Sequence, residues 1–330
     1  MKNSISDNKL NRRRFLVRSV KAAASIAAAA AAGLWFHDTQ GPTPAADEQP
    51  ASGRLNFSLE DISPKMAIVR GSDRRATLHA ALKTLGGIES FIKKEDRVLL
   101  KVNAAFASPA MLSATTHPEI VSETTRLCYK AGAASVVITD NPINDPGSCF
   151  TLSGIDAAAR AAGARVYSPD VDAFKPFSVE QAKLIRNWPV LLGPLKNITK
   201  VIGMAPLKDH HRSGASLTMK NWYGLLGGRR NIFHQDINTI ITELAMMVRP
   251  TFVILDGTVS MMTNGPTGGS LTDLKQTDTM IISTDQVAAD AFGATLLNKS
   301  SRDLPFIKKA EAAGAGTADY RSLNPVELSV

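Results

Sequence analysis

The sequence contains very little cysteine. Its 330 residues include only two cysteines, Cys128 and Cys149. Iron–sulfur clusters and four-thiolate zinc sites need more thiolate ligands at close spacing, so the composition predicts no iron–sulfur cluster in this chain. The two thiols could form one disulfide in an oxidising compartment. Because Cys128 falls in the apolar pattern of a predicted helix, a buried free thiol is the favoured interpretation.

The common nucleotide-binding motifs are also missing. No strand is followed by a GxGxxG turn and a helix, and the glycine-rich segment 224–230 lacks the spacing of a P-loop. The sequence has no internal repeat. Nucleotide binding is therefore weakly supported.

The excess of basic side chains is confined to the amino-terminal segment. The whole chain has a formal net charge of +8 and a pI near 9.5, which would ordinarily suggest a nucleic-acid or anionic-lipid partner. Residues 1–36 hold seven basic side chains and one acidic side chain, whereas the remainder holds 31 basic and 29 acidic ones. Because the remainder is close to neutral, we predict no nucleic-acid partner.

That basic segment resembles a twin-arginine export signal. An arginine pair within Asn11-Arg12-Arg13-Arg14-Phe15-Leu16-Val17 precedes an alanine-rich run, residues 22–36, and a proline-rich stretch follows. Membrane-spanning helices need roughly 17 to 25 apolar residues, so this run is short for one. The resemblance implies a signal at 1–36, a linker at 37–60, the export machinery as partner, and a periplasmic or otherwise exported location. An uncleaved signal acting as a membrane tether and a basic cytoplasmic tail are the alternatives.

Helices and strands alternate from residue 61 to residue 330, which predicts a single α/β domain. Nearly all-apolar strands indicate burial on both faces of a sheet, so we expect a mostly parallel sheet with flanking helices, doubly wound with Rossmann-like elements. The predicted strands cover residues 66–70, 98–103, 135–140, 165–167, 200–205, 251–256 and 280–283. The predicted helices cover residues 73–85, 118–131, 155–162, 237–248 and 286–297.

Polar side chains follow several of these strands. Ligands of open parallel sheets bind beyond the carboxyl ends of the strands, which makes such residues candidates for a site. They are Lys101, Asn103, Asp140, Asn141, Lys208, His210, Asp256 and Asp285. Each residue alone could equally be a turn or capping residue, but their shared location favours a site.

Six motifs between residues 65 and 300 resemble those of domain-of-unknown-function family 362. They are 115–119 (TTHPE), 208–210 (KDH), 220–225 (KNWYGL), 256–257 (DG), 264–269 (NGPTGG) and 283–290 (STDQVAAD). The resemblance implies a fold and a map of motifs rather than a reaction. Many members of that family append a ferredoxin-like segment with cysteine clusters. This chain has no such clusters, which disfavours electron transfer through a cluster of its own.

The densest group of chemically active residues lies between residues 208 and 234. Three of the six histidines fall there, and histidine serves both as acid/base and as metal ligand. We predict His210, His211 and Lys220 as catalytic residues. A divalent metal is a further hypothesis, with His210, His234, Asp256 and Asp285 as ligands.

The remaining candidates predict the binding of a small anion. Hydroxyl and N–H groups at the start of the predicted helix at residue 118, together with cationic and amide side chains, suit a phosphate or carboxylate. The predicted substrate-binding residues are Lys101, Asn103, Thr116, His117, Lys208, Asn221, Arg229, Arg230, Asn264 and Gly265.

A looser similarity concerns the nickel-pincer lactate racemases. It rests on the order of His211, Lys220, Gly227-Gly228-Arg229 and His234, and it implies proton abstraction beside a carboxylate. We therefore expect an exported enzyme that acts on a small carboxylate or phosphate, with a metal or cofactor as a possible aid. A periplasmic protein that binds an anion or metal without turnover is the alternative.

Overall fold

The structure is a computed structural model that describes residues 12–35, 51–60 and 62–330. The chain divides into two units, residues 1–43 and 44–330. In the first unit the structure describes one helix, α1 (Arg12–Trp35), whose side chains are exposed from residue 15 to residue 31. The rest of the predicted signal, and residues 37–50 of the predicted linker, lie outside the described residues. None of the described helices combines the length and apolar character needed to cross a membrane.

The second unit alternates strands and helices, as the sequence predicts. Its described strands are β1 (Ala51–Gly53), β2 (Leu55–Asn56), β3 (Met66–Arg70), β4 (Arg97–Lys101), β5 (Ser135–Thr139), β6 (Arg165–Tyr167), β7 (Phe174–Val179), β8 (Trp188–Leu191), β9 (Lys200–Lys208), β10 (Val248–Arg249), β11 (Phe252–Met261), β12 (Leu274–Ser283) and β13 (Val326–Ser329). Its described helices are α2 (Arg74–Thr84), α3 (Pro118–Lys130), α4 (Pro146–Leu152), α5 (Ile155–Ala161), α6 (Thr218–Asn221), α7 (Ile237–Met247), α8 (Gln286–Leu296) and α9 (Pro305–Ala312).

Eight strands form one large sheet in the order β13, β3, β12, β11, β9, β4, β5, β6. The strand β12 runs antiparallel to both of its neighbours, and the other five pairings are parallel. The α/β class is confirmed, but the prediction of a mostly parallel sheet has to be corrected to a mixed sheet. The physical reason is the connection between β11 and β12, which contains a short 3₁₀ turn instead of the crossover helix that a parallel pair requires.

Two small sheets lie beside the large one. β1 pairs with β7, which pairs with β8, while β2 pairs with β10. Residues 51–56 fall in the predicted linker, but here they form strands of the second unit.

Helices cover both faces of the large sheet. Alternate residues of a strand point to opposite faces, so Leu99 and Leu100 of β4 belong to different hydrophobic clusters. The first cluster packs under α7, α8 and α9, and the second packs under α2, α3 and α5. Asp73 caps α2, and its carboxylate accepts hydrogen bonds from the N–H groups of Arg75 and Ala76.

The order of the strands positions the candidate site. β9, β4 and β5 are parallel neighbours, so their carboxyl ends meet at one edge of the sheet. Lys208 ends β9, Lys101 ends β4, and Asp140 directly follows β5.

Candidate functional site

A cleft of about 940 Å³ opens at this edge of the sheet. It is lined by residues from the strand ends, from the segment 208–235 and from the loop at 264–267. Eleven of the predicted site residues line it: Asn103, Lys208, His210, His211, Lys220, Asn221, Arg229, Arg230, His234, Asn264 and Gly265. The structure therefore brings together the three predicted catalytic residues and most of the predicted substrate-binding residues.

A buried ion pair forms the floor of the cleft. Lys101 Nζ lies 2.7 Å from Asp140 Oδ1, and both side chains are almost fully buried. Asp140 Oδ2 also accepts a hydrogen bond of 2.6 Å from the N–H of Ala104. A Cβ atom at Gly224 would lie 1.7 Å from Asp140 Oδ1, so glycine is required where this backbone passes the carboxylate. Lys101 is thus held beneath the cleft surface, where it stabilises the floor through Asp140 and does not contact a ligand.

Two asparagines extend the floor. Asn221 Nδ2 donates to the carbonyl groups of Lys101 and Met204, each at 3.1 Å, which ties α6 to the end of β4 and the middle of β9. Asn103 Oδ1 accepts a weak hydrogen bond from the N–H of Ala105 at 3.5 Å. Within the described residues the amide Nδ2 of Asn103 has no hydrogen-bond acceptor, so it can donate to a ligand.

Three imidazole rings stack along the wall of the cleft. The ring centroids of His210 and His211 are 5.0 Å apart with planes 7° from parallel. Those of His210 and His234 are 5.9 Å apart with planes at 12°. His210 is therefore shared by both stacks.

Backbone hydrogen bonds fix the tautomer of His210. Its Nδ1 atom accepts from the N–H groups of Arg212 and Ser213, at 3.2 and 3.3 Å. Because Nδ1 must carry a lone pair, the ring proton sits on Nε2. Burial, followed by the positive charge of Lys220, lowers the pKa of His210 to about 2. His210 is thus a neutral hydrogen-bond donor at physiological pH.

The other two imidazoles have the opposite tautomer. His211 Nδ1 lies 3.2 Å from the carbonyl oxygen of Gly265, which can only accept, so Nδ1 carries the proton. His234 Nδ1 lies 3.3 Å from the carbonyl oxygen of Asn231 and 3.1 Å from Tyr223 Oη. Tyr223 gives its own hydroxyl proton to the carbonyl of Arg230, so it accepts from His234. Each Nε2 atom therefore holds a lone pair that can act as a base.

Two buried lysines reach the cleft. Lys208 Nζ donates to the carbonyl of Ala114 and lies 5.2 Å from the centre of the Phe106 ring. Burial, and then the charge of Lys220, lowers the pKa of Lys208 to about 7. Burial, and then the charge of Arg230, lowers the pKa of Lys220 to about 8. The two ammonium groups destabilise each other, and a bound anion would relieve that repulsion.

The arginines of the cleft have two different roles. Arg230 donates four hydrogen bonds, to the carbonyl groups of Tyr223, Leu226, Asn141 and Pro142. These bonds hold the segment 223–230 against residues 141–142 and use most of the donors of Arg230. Burial lowers the pKa of Arg230. In contrast, Arg212 and Arg229 line the cleft with exposed side chains.

Those two exposed guanidinium groups are available to a ligand. Neither forms a side-chain hydrogen bond or ion pair within the part of the chain that the structure describes. Their donors therefore remain open to an anion at the mouth of the cleft.

The loop at 264–267 is held against the histidine wall. Asn264 Nδ2 donates to Asp273 Oδ1 at 2.6 Å, and the N–H of Gly265 donates to Asp209 Oδ2 at 3.3 Å. A Cβ atom at Gly265 would lie 1.9 Å from the carbonyl oxygen of Asp209, so only glycine allows this approach. Asn264 and Gly265 thus position His211 rather than offer a charge to a ligand.

Apart from Lys101, which lies beneath the floor, four predicted site residues lie outside the cleft. Thr116 Oγ1 donates to the carbonyl of Met204 at 2.8 Å and accepts from the N–H of Asn103 at 2.7 Å, which is a structural role. His117 is the N-cap of α3, and burial, followed by the charge of Arg74, lowers its pKa to about 4. Asp256 forms an ion pair of 2.9 Å with Arg74.

The fourth of these residues is Asp285. It caps α8, and its carboxylate accepts from the N–H groups of Val287, Ala288 and Thr317. It lines a separate depression of about 370 Å³.

The predicted set of metal ligands is not assembled. Asp256 and Asp285 do not line the cleft that holds His210 and His234. Across residues 12–35, 51–60 and 62–330, no group of three or more histidine, cysteine, aspartate or glutamate side chains is placed to hold a metal ion. The described residues therefore do not fit a metal held by three protein ligands.

The cleft includes residues that are absent from the predicted set. Two of them could have been found from the sequence. Asp140 is a polar residue at a predicted strand end, and Tyr223 lies in the motif at 220–225. Phe106, Ile143 and Arg212 come from loops, and their positions follow only from the tertiary fold.

Both cysteines are free and buried, so Cys128 is the buried free thiol that its helix pattern favoured. Burial raises the pKa of Cys128 to about 12 and raises the pKa of Cys149 as well. Neither residue lines the cleft.

The fold and the cleft define the protein as an α/β protein with a cationic, histidine-lined site beyond the ends of three parallel strands. Residues 98–295 match the family described as Domain of unknown function (DUF362), and the chain belongs to that family. It is also similar to thylakoid-associated protein sll1697 of Synechocystis sp. The two are 24% identical over 275 residues, which cover 77% of this chain and 81% of the relative.

Proposed function

We propose that the second unit is an enzyme that binds a small carboxylate or phosphate in the cleft and moves a proton on it. The observation that supports this most directly is the charge of the lining. Five cationic side chains line the cleft, namely Lys208, Arg212, Lys220, Arg229 and Arg230. The one carboxylate among the lining residues, Asp140, is already paired with Lys101. Such a surface attracts an anion and repels a cation.

The histidines supply the proposed chemistry. His211 and His234 present an Nε2 lone pair and can act as general bases, whereas His210 presents an Nε2 proton and can donate to charge that develops on the substrate. The positive charges around them stabilise the anion formed when a proton leaves a carbon beside a carboxylate.

Proton exchange provides the test. The protein is incubated in D₂O with lactate, malate or glycerate, and deuterium incorporation at the carbon beside the carboxylate is followed by NMR. General acid–base groups contribute roughly 10²- to 10⁴-fold, so His211→Gln or His234→Gln should slow exchange by at least about a hundredfold. His79→Gln is the matched control, because His79 pairs with Glu123 outside the cleft.

Calorimetry with the same anions separates this proposal from the alternative of binding without turnover. Binding without exchange would support the alternative. Absence of both binding and exchange would contradict both forms of the proposal.

We further propose that residues 1–36 direct export through the twin-arginine machinery. The supporting observation is the arginine pair at the start of the basic, alanine-rich segment that forms α1. Replacement of Arg12 and Arg13 by lysine should abolish the appearance of the protein in the periplasmic fraction of a bacterial host, and Arg18→Lys is the control. Unchanged export of the Arg12→Lys, Arg13→Lys variant would refute this assignment.

A further inference from the structure

Lys220 differs from the other lysines at the centre of the molecule. Lys220 is only 9% exposed, yet within the described chain its ammonium group forms no hydrogen bond and no ion pair. The ammonium lies over the face of the Tyr223 ring, with 5.1 Å from Nζ to the ring centre. No described group accepts a hydrogen bond from this ammonium, and the nitrogen faces the cleft, so it is open to a bound ligand.

The neighbouring lysines have defined structural partners. Lys101 pairs with Asp140, and Lys208 donates to the carbonyl of Ala114. Lys299, at the far side of the histidine loop, pairs with Asp209 at 2.9 Å. Of these four lysines, only Lys220 has no described hydrogen-bond acceptor or ion-pair partner.

The surroundings of Lys220 favour its neutral amine. Burial and the charge of Arg230 lower its pKa to about 8, against 10.5 for an ordinary lysine. At neutral pH the fraction of free amine is therefore on the order of a hundredfold higher than for a surface lysine. A desolvated lysine beside another cation is a recognised way to make an amine nucleophile.

We propose that Lys220 Nζ forms an imine with the carbonyl carbon of a small oxo acid bound in the cleft. This inference rests on the proposed function, because it requires that the cleft bind a small anion, and it adds the substrate class. The neutral amine attacks the carbonyl carbon and gives a carbinolamine. Loss of the carbinolamine oxygen as water then leaves the C=N bond. One carbonyl oxygen and two amine protons leave as one water molecule, so no oxidant or reductant is consumed.

Other residues of the cleft match the remaining needs of this reaction. The open guanidinium groups of Arg212 and Arg229 can hold the carboxylate of the oxo acid. The Nε2–H group of His210 can donate a hydrogen bond to the carbonyl oxygen as that oxygen becomes the carbinolamine hydroxyl. The lone pair on Nε2 of His234 can accept a proton from the attacking nitrogen.

Reductive trapping tests the inference on the unmodified protein. The full chain is incubated separately with glyoxylate, pyruvate and oxaloacetate near pH 7.5, reduced with sodium cyanoborohydride and mapped by peptide mass spectrometry. We expect at least one of these oxo acids to modify Lys220 at least tenfold more than any other lysine. Lactate and malate, which lack a reactive ketone or aldehyde, should give no adduct. Lys220→Arg keeps the charge and should lose the adduct, and Lys309→Arg, on the exposed surface of α9, is the matched control.

The possible outcomes separate this inference from the proposed function. Calorimetry is run with the same anions. If the anions bind but none of the three oxo acids is trapped on Lys220, the imine is refuted while the anion site stands. If the adduct forms on Lys208 instead, the assignment of the nucleophile is wrong. If no anion binds and no adduct forms, the inference and the proposed function both fail.

Discussion

Replacing Gly224 with alanine adds one methyl carbon and should disrupt the buried ion pair in the floor of the cleft. The new Cβ would lie 1.7 Å from Asp140 Oδ1 and 2.7 Å from Lys101 Nζ. Ordinary contacts lie near 3.5 Å, so the carboxylate would have to retreat by roughly 1.8 Å. The backbone of Gly224 does not adopt a positive φ, so alanine is otherwise tolerated there.

The loss in the free energy of unfolding follows from the contacts that the displaced Asp140 carboxylate would break. Its displacement breaks the 2.7 Å contact with Lys101 and the 2.6 Å hydrogen bond from Ala104. Breaking a buried ion pair typically costs about 3 to 5 kcal/mol. For a domain of this size, such a loss lowers the melting temperature by roughly 10 °C. Urea denaturation and calorimetry would measure the two quantities.

Two controls make the result interpretable. Gly147 is exposed in α4, and a Cβ there would approach only the Asp145 side chain, at 3.3 Å, so Gly147→Ala should change stability by less than about 1 kcal/mol. In an Asp140→Ala background the clash with the carboxylate is absent, and only the flexible end of Lys101 has to move. Adding Gly224→Ala should then cost less than about 1 kcal/mol. An equal loss in both backgrounds, or no loss in the parent, would refute the reasoning.

Three further predictions concern charge and accessibility. Because the pKa of Lys220 is lowered to about 8, its ammonium is present at lower pH and is lost as the pH rises through that value, so calorimetry should show anion affinity falling between pH 7 and pH 9. Arg229→Gln should weaken anion binding by about 1 kcal/mol, roughly fivefold, as an exposed charge does, whereas Arg302→Gln should leave it unchanged. Since Cys128 and Cys149 are buried with raised pKa values, iodoacetamide should modify neither in the native protein and both after denaturation, as mass spectrometry would show.

The elements that the sequence predicted well are those with strong local patterns. The strand at 66–70 and the helix that Asp73 caps have the predicted positions, because periodicity and capping act over a few residues. β7, β8 and β13 were missed. Neither β7 nor β13 has a run of buried residues, and β8 has only four residues. Pairing with β1 and β3, which are distant in sequence, stabilises β7 and β13.

The direction of β12 could not be predicted from its own residues. An apolar strand has the same composition whether it runs parallel or antiparallel to its neighbours. The contacts of β12 with β3 and β11 decide its direction, and both pairings link residues that are distant in sequence or joined by an irregular loop.

The candidate site was likewise predicted in part from the sequence and decided in part by the fold. The segment 208–234 was identified from the density of histidine and lysine, and the structure places its main residues in one cleft. Asp256 follows the same strand-end pattern, yet it shares the sheet face of Phe252 and Ile254 and meets Arg74 of α2. Because strand side chains alternate with a period of two, only the packed sheet decides which face a polar residue joins.

The sequence by itself determined the α/β class, the supply of acid/base and cationic residues between 208 and 234, and the lack of cysteine ligands for a cluster. The tertiary structure decided which of these residues meet and in what chemical state. It paired Lys101 with Asp140, left Lys220 without an acceptor, and fixed the proton of His210 on Nε2. Those chemical states depend on burial and on backbone groups of other segments. Both are present only once the chain has folded, so local sequence does not determine them.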